Sequence, residues 1–236
     1  MPHVRVWLLE GLDNAEPGFQ AWALDYLGLA TWAPTRDEVL ERMPAKYEEY
    51  RAWLGVHKFG DLEPGSRIDI AEEIHGDEVL FTPDRRPTTE SEINRTVQLL
   101  QASRSDLISV LEDLPAAALD WDPPYERFLP WASWRTARQV AVHIANTETH
   151  YYLTAIGFDP PWEPVPSDSE WHSFLADRRA DAIRFISELR GASDLVRVDN
   201  SEAWSVRKVL RRMVWHERLH TKSLRRILDE YARRPS

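Results

Sequence analysis

Apolar positions along this chain change their period near residue 87. Before it, short stretches are β-rich or alternate. Val4–Glu10 reads as a strand, and Phe19–Leu24 as a second, with Phe19, Ala21 and Ala23 on one side and Trp22 and Leu24 on the other. Asp13-Asn14 and Pro17-Gly18 supply turn chemistry between them. Thr35 followed by Glu38 has capping-box spacing and opens a helix through Val39, Leu40, Met43, Tyr47, Tyr50 and Leu54, with Pro44 expected to end or kink an early turn. Arg67–Ile74 and Glu78–Thr82 read as closing strands. Beyond the linker Pro83–Pro87 the spacing becomes helical, with helices expected near 89–113, 134–156, 168–190 and 204–232. Pro115–Trp131, Gly157–Pro166 and Gly191–Ala203 read as the loops between them. The predicted fold class is an α+β N-terminal domain over 1–85, followed by an all-α four-helix bundle over 88–236.

Composition narrows the chemistry. The chain has 236 residues and no cysteine, which excludes disulfides, Cys-ligated zinc, iron–sulfur clusters and a cysteine nucleophile. The net charge of −10 argues against a nucleic-acid partner. No apolar run reaches the ~20 residues of a membrane span, and the first ten residues do not read as a signal peptide, so a cytoplasmic protein without a membrane partner is expected. The charge is uneven: residues 1–87 hold 17 acidic and 9 basic side chains, residues 88–236 hold 22 and 20. Eleven tryptophans need N–H partners and suit pocket rims.

The last helix carries the most informative pattern. Its apolar stripe runs Val206, Val209/Leu210, Met213, then Leu224, Ile227 and Tyr231; the same spacing through the gap lands on His216 and His220. The two imidazoles lie about 40° apart on the helix wheel, facing the interior. Arg207, Arg211, Arg218, Lys222 and Arg225 form the face expected to be solvated. On the second helix the stripe is Ala137, Val140, Ile144, Thr147 and Tyr151, and His143 sits on it, with His150 one heptad later able to point inward. A single inward histidine is ordinarily a satisfied core residue. Three on facing helices would cost on the order of several kcal/mol if unpartnered, and a divalent metal removes that cost. His143, His216 and His220 are therefore the candidate ligands, with zinc first and nickel, manganese or iron as alternatives.

His216–His220 also spells the H-E-x-x-H of zinc peptidases. That pattern needs a third ligand downstream on another element. Only sixteen residues follow, and Glu230, the sole later glutamate, lies about 15 Å along the same helix. Glu217 then reads as a surface or inter-helix ion pair. Glu148, His150 and Glu217 are weak catalytic candidates, and Asn146 joins Glu148 and His150 as a group that could orient a ligand. Tyr151, Tyr152, Trp131, Trp134, Trp171 and Trp215 are candidates for a pocket wall.

Two passages carry family resemblances. Trp134–Glu148 (W-x-x-R-x-V-x-x-H-I-A-x-x-E) and Trp204–His220 (W-S-V-R-K-V-L-R-R-M-x-x-H-E-R-x-H) resemble the DinB-like (YfiT-like) superfamily. The resemblance implies a metal on His143, His216 and His220, with positions open to water or substrate. It implies a small-molecule substrate, transferase or hydrolase chemistry, a low-molecular-weight thiol as cosubstrate, and a homodimer. Thr221-Lys222-Ser223 departs from the His-Arg-Gly-Gln that many relatives have there. In the N-terminal third, Leu27–Trp32 and Thr35–Leu40 resemble the HicB-like antitoxin fold. This implies that the acidic domain binds a partner; the size of the chain and the lack of a visible DNA-binding module favour instead a domain that mediates dimerisation or covers the pocket. A non-enzymatic regulatory protein with a structural metal is the alternative function.

Overall fold

The structure is a computed structural model that describes residues 3–11, 18–64, 67–77, 79–124, 134–161, 171–189, 196–199 and 202–234. The chain divides into two compact units: residues 1–90 with 191–215, and 91–190 with 216–236. The segment 191–215, grouped with the helices when read from sequence, thus belongs with the sheet. Among the described residues, no helix is long and apolar enough to cross a membrane.

In the first unit β1 (His3–Glu10), β2 (Phe19–Trp22), β3 (Ala30–Ala33) and β4 (Arg67–His75) form one sheet of order β3-β2-β1-β4. β1 pairs antiparallel with β2, placing Trp7 opposite Trp22, and β2 pairs antiparallel with β3. β4 runs parallel to β1. A parallel partner needs a crossover, and α1 (Arg36–Val56) supplies it. Thr35 caps α1, its hydroxyl accepting from the Glu38 amide at 3.3 Å. The helix continues through Pro44, which does not end it. Val39, Met43, Tyr47, Tyr50 and Leu54 recur every three or four residues and are buried. The Tyr47 and Tyr50 hydroxyls donate to the Glu63 and Leu27 carbonyls at 3.0 and 2.9 Å. Trp7, Leu9, Trp22 and Phe81 form a second buried cluster.

Two expectations fail here. β3 is a strand within the passage read only as leading into the helix. Glu78–Thr82 is not a strand: Val79–Phe81 has no regular structure, and a 3-10 turn covers Thr82–Arg85. That turn is fixed by Asp84, which accepts from the Phe81 amide and is paired with Arg211 at 2.7 and 3.0 Å. Arg211, expected in solvent, is buried with Lys208 and Arg212. Their aromatic neighbours explain the placement: Arg211 lies 4.2 Å from the Trp22 ring centroid and Lys208 4.0 Å from that of Trp204. Gly28, at φ +82°, could carry no side chain without striking Val214.

Gly191–Ala203 is likewise not all loop. It holds β5 (Val196–Asp199), paired antiparallel with β6 (Glu202–Ser205). Ser205 then caps the longest helix, accepting from the Lys208 amide at 3.1 Å.

The second unit is a helical bundle of α2 (Glu90–Leu111), a short α3 (Ala116–Leu119), α4 (Ala137–Thr147), α5 (Trp171–Glu188) and the part of α6 (Val206–Ala232) from His216 onward. Leu107, Val140, Ile144, Leu175, Leu224 and Ile227 lie in one core drawn from α2, α4, α5 and α6. α4 starts at a capping box: the Thr136 hydroxyl accepts from the Gln139 backbone amide, and the Gln139 side-chain Oε1 accepts from the Thr136 backbone amide. It does not run unbroken to residue 156. At Glu148–Tyr152 it widens into a π turn, then a 3-10 turn covers Thr154–Ile156. A π turn takes up an extra residue and shifts every later position around the axis. Tyr152 is consequently buried while Tyr151, the residue on the ideal stripe, is exposed.

Candidate metal centre

α4 and α6 bring the three histidines together. The Nε2 atoms of His143 and His216 are 3.0 Å apart, and one ligand atom from each of the three histidines falls within a 4.8 Å span. Ring centroids are separated by 4.9, 4.8 and 4.4 Å. Two nitrogens bound tetrahedrally to one zinc would lie roughly 3.3 Å apart, from Zn–N bonds of about 2.0–2.1 Å. The set therefore closes on an ion with small side-chain movements. Each histidine arrives by helical spacing: His216 and His220 from successive turns of α6, His143 from the core stripe of α4.

The surroundings hold His143 and His220 neutral. Burial pushes His143 down to about 4. Burial, with a contribution from His143, pushes His220 down to about 3. Neutral imidazole is the ligating form, so no proton competes at pH 7. The Thr147 hydroxyl lies 3.2 Å from His143 Nδ1, which leaves Nε2 to the cluster. Trp134 stacks on His143 at 3.5 Å between centroids and 10° between planes. Tyr152 meets His216 edge-on at 5.6 Å. Three imidazoles with converging nitrogens, and among the described residues no carboxylate in the set, are a donor group suited to a borderline-soft divalent ion.

The other predicted site residues lie elsewhere. His150 is exposed, because the π turn rotates it off the interior; its Nδ1 is 2.8 Å from the Thr149 hydroxyl. Asn146 is half-buried. Trp171 is a core residue, with the Arg138 guanidinium 5.2 Å over its ring. Trp215 belongs to the first unit, where it packs on Trp22 at 5.2 Å. Trp131 lies outside the described residues.

Glu148 and Glu217 are both buried, in one ionic cluster. Glu217 accepts from Ser103 Oγ at 2.7 Å, from Arg104 Nε at 2.5 Å, and from Arg179. Glu148 pairs with Arg104 at 2.9 Å and Arg179 at 2.7 Å. Burial alone would raise Glu217, but the two guanidinium charges outweigh it and hold the carboxyl below its ordinary range. A carboxylate engaged by three donors is poorly suited to serve as a base. The inter-helix role read for Glu217 therefore describes its position, although it is internal and not at the surface. Arg104 and Arg179 escaped the sequence reading. Their signal was positional: both fall on core stripes, Arg104 between Leu100 and Leu107, Arg179 between Leu175 and Ala182.

Two helices presenting three converging imidazoles in a helical bundle define a class of histidine-lined metal-binding bundles. Residues 99–224, more than half of the chain, match the DinB superfamily, and the chain belongs to it. Among solved structures it is similar to YfiT from Bacillus subtilis, described as a probable metal-dependent hydrolase with an unusual four-helix bundle topology. The identity is 15%, the match covers 63% of this chain and 92% of that one, and the TM-score is 0.47. No curated protein matches the chain. Superfamily membership and the three-histidine cluster fit a metal-binding DinB-like protein.

Proposed function

We propose that this protein is a metal-dependent enzyme acting on a small molecule, as a hydrolase or as a transferase using a low-molecular-weight thiol. His143, His216 and His220 would hold one divalent ion, zinc before nickel, manganese or iron. The observation that carries this reading is the convergence of three imidazoles within 4.8 Å. Three protein ligands are the number typical of catalytic zinc, whereas structural zinc sites are closed by four. Among the described residues the cluster holds no fourth histidine, aspartate or glutamate, and Glu148 and Glu217 are committed to arginines. The ion would supply Lewis acidity and lower the pKa of a group in its open position. The chain's own residues orient the ligands through Thr147 and Trp134.

The first unit is proposed to be HicB-like, supported by its order β1-β2-β3-α1-β4, and to mediate a cytoplasmic homodimer. The activity is tested by assaying the zinc-loaded protein against panels of ester, amide and thiol-transfer substrates. Turnover that chelation or His220→Ala abolishes is expected. No turnover on any panel would overturn the enzymatic reading. Light scattering of the full chain tests the dimer.

A further inference from the structure

The ionic cluster beside the histidines does more than fill the core. Arg104 comes from α2, Glu148 from the π turn that follows α4, Arg179 from α5 and Glu217 from α6. All four are at least nine-tenths buried, and their charges balance. Every long helix of the bundle therefore contributes to one knot. Arg104 tightens it further by donating to the Leu175 carbonyl of α5. Glu217 follows His216 directly and shares the turn of α6 that carries His220. Glu148 lies five residues after His143.

A buried ion pair is a strong constraint on geometry because moving either partner strands a charge in low dielectric. Rotation of α6 about its axis would pull Glu217 from Ser103 Oγ and both guanidinium groups, and would swing His216 and His220 with it. Displacement of the end of α4 would do the same through Glu148 and His143. We infer that the Arg104–Glu148–Arg179–Glu217 cluster is the positioning device of the three-histidine centre, fixing α4 and α6 so that the three imidazoles converge before any ion arrives. This rests on the metal-binding reading above. In this role Glu217, the acid of the H-E-x-x-H pattern, acts through the helix and touches no substrate.

The test is cobalt(II) titration of the full-length protein, followed by its visible d–d absorption, for wild type, Glu217→Gln and Ser103→Ala. Glu217→Gln keeps the shape and removes the charge; Ser103→Ala removes only one donor. Groups that orient metal ligands typically change affinity 10–100-fold when altered. The expected result is about a tenfold or greater loss of cobalt affinity in Glu217→Gln, with an altered d–d band while helical circular dichroism is retained. Ser103→Ala should weaken binding a few-fold. A merely structural role would lower the melting temperature and leave the band of the folded protein unchanged. Wild-type affinity and band shape in folded Glu217→Gln would overturn the inference. If that variant does not fold, unchanged affinity and band in Ser103→Ala overturn it. A wild type that takes up no cobalt removes the metal reading itself, and the inference with it.

Discussion

The bundle buries two polar clusters on the same helices, and their electrical balance differs. One sets two arginines against two glutamates, with Ser103 and the Leu175 carbonyl taking further bonds. The other sets three imidazoles against one another, with Thr147 and Trp134 against His143. The first balances its charges and ties helices together. The second converges ring nitrogens within a 4.8 Å span. Opposite charges in equal number make a cluster that holds helices, whereas converging ring nitrogens make a donor set for a ligand.

The comparison can be broken most forcefully on the balanced side. Glu217→Ala leaves Arg104 and Arg179 facing Glu148 alone, and unfolding free energy should fall by about 3–5 kcal/mol. Urea denaturation measures this. Replacing both members, as in Arg104→Met with Glu217→Leu, should cost less than the single change, since no charge is then left stranded. A double variant weaker than the single one would count against charge balance as the source of the stability.

The histidine side should respond to metal instead. Zinc at 100 times its dissociation constant should stabilise the wild type by about 2.7 kcal/mol and leave His216→Ala unmoved. Thermal melts with and without zinc check this.

Acid sharpens the contrast in metal-free protein. The folded values of His143 and His220, about 4 and about 3, lie below the unfolded value near 6.5. The unfolded chain therefore binds more protons between them, so this contribution to stability is complete above about pH 7 and lost as pH falls from 6.5 toward 4. His143→Leu should flatten that part of the profile. The smallest effect is expected at Thr147→Val, which removes the hydroxyl beside His143 Nδ1 and should weaken zinc binding by less than about tenfold.

Much of the candidate centre was legible because helical spacing is rigid over two turns. His216, His220 and His143 continue apolar stripes, so their convergence followed from arithmetic. The same arithmetic failed past Thr147, where the π turn inserts a residue: Tyr151 and His150 went outward, Tyr152 inward. Nothing in the local composition marks that turn. Its position is set by tertiary pairing, since it is where Glu148 reaches Arg104 and Arg179. Buried arginines were the other blind spot. Arg211 reads as solvated, and the burial of Arg104, Arg179 and Arg211 depends on acids far away in sequence, Glu148, Glu217 and Asp84. The β5–β6 hairpin lies in a stretch that reads as loop, although Val196, Val198, Ala203 and Trp204 flank an Asn-Ser step with turn chemistry.

The most direct measurement is the metal content of untagged protein by elemental mass spectrometry, for wild type and His143→Ala side by side. One transition-metal ion per chain in the wild type, lost in a variant with unchanged helix content, is the predicted result. Wild-type protein that holds no metal after exposure to zinc, nickel and manganese, or a His143→Ala variant that keeps full occupancy, would contradict the three-histidine centre.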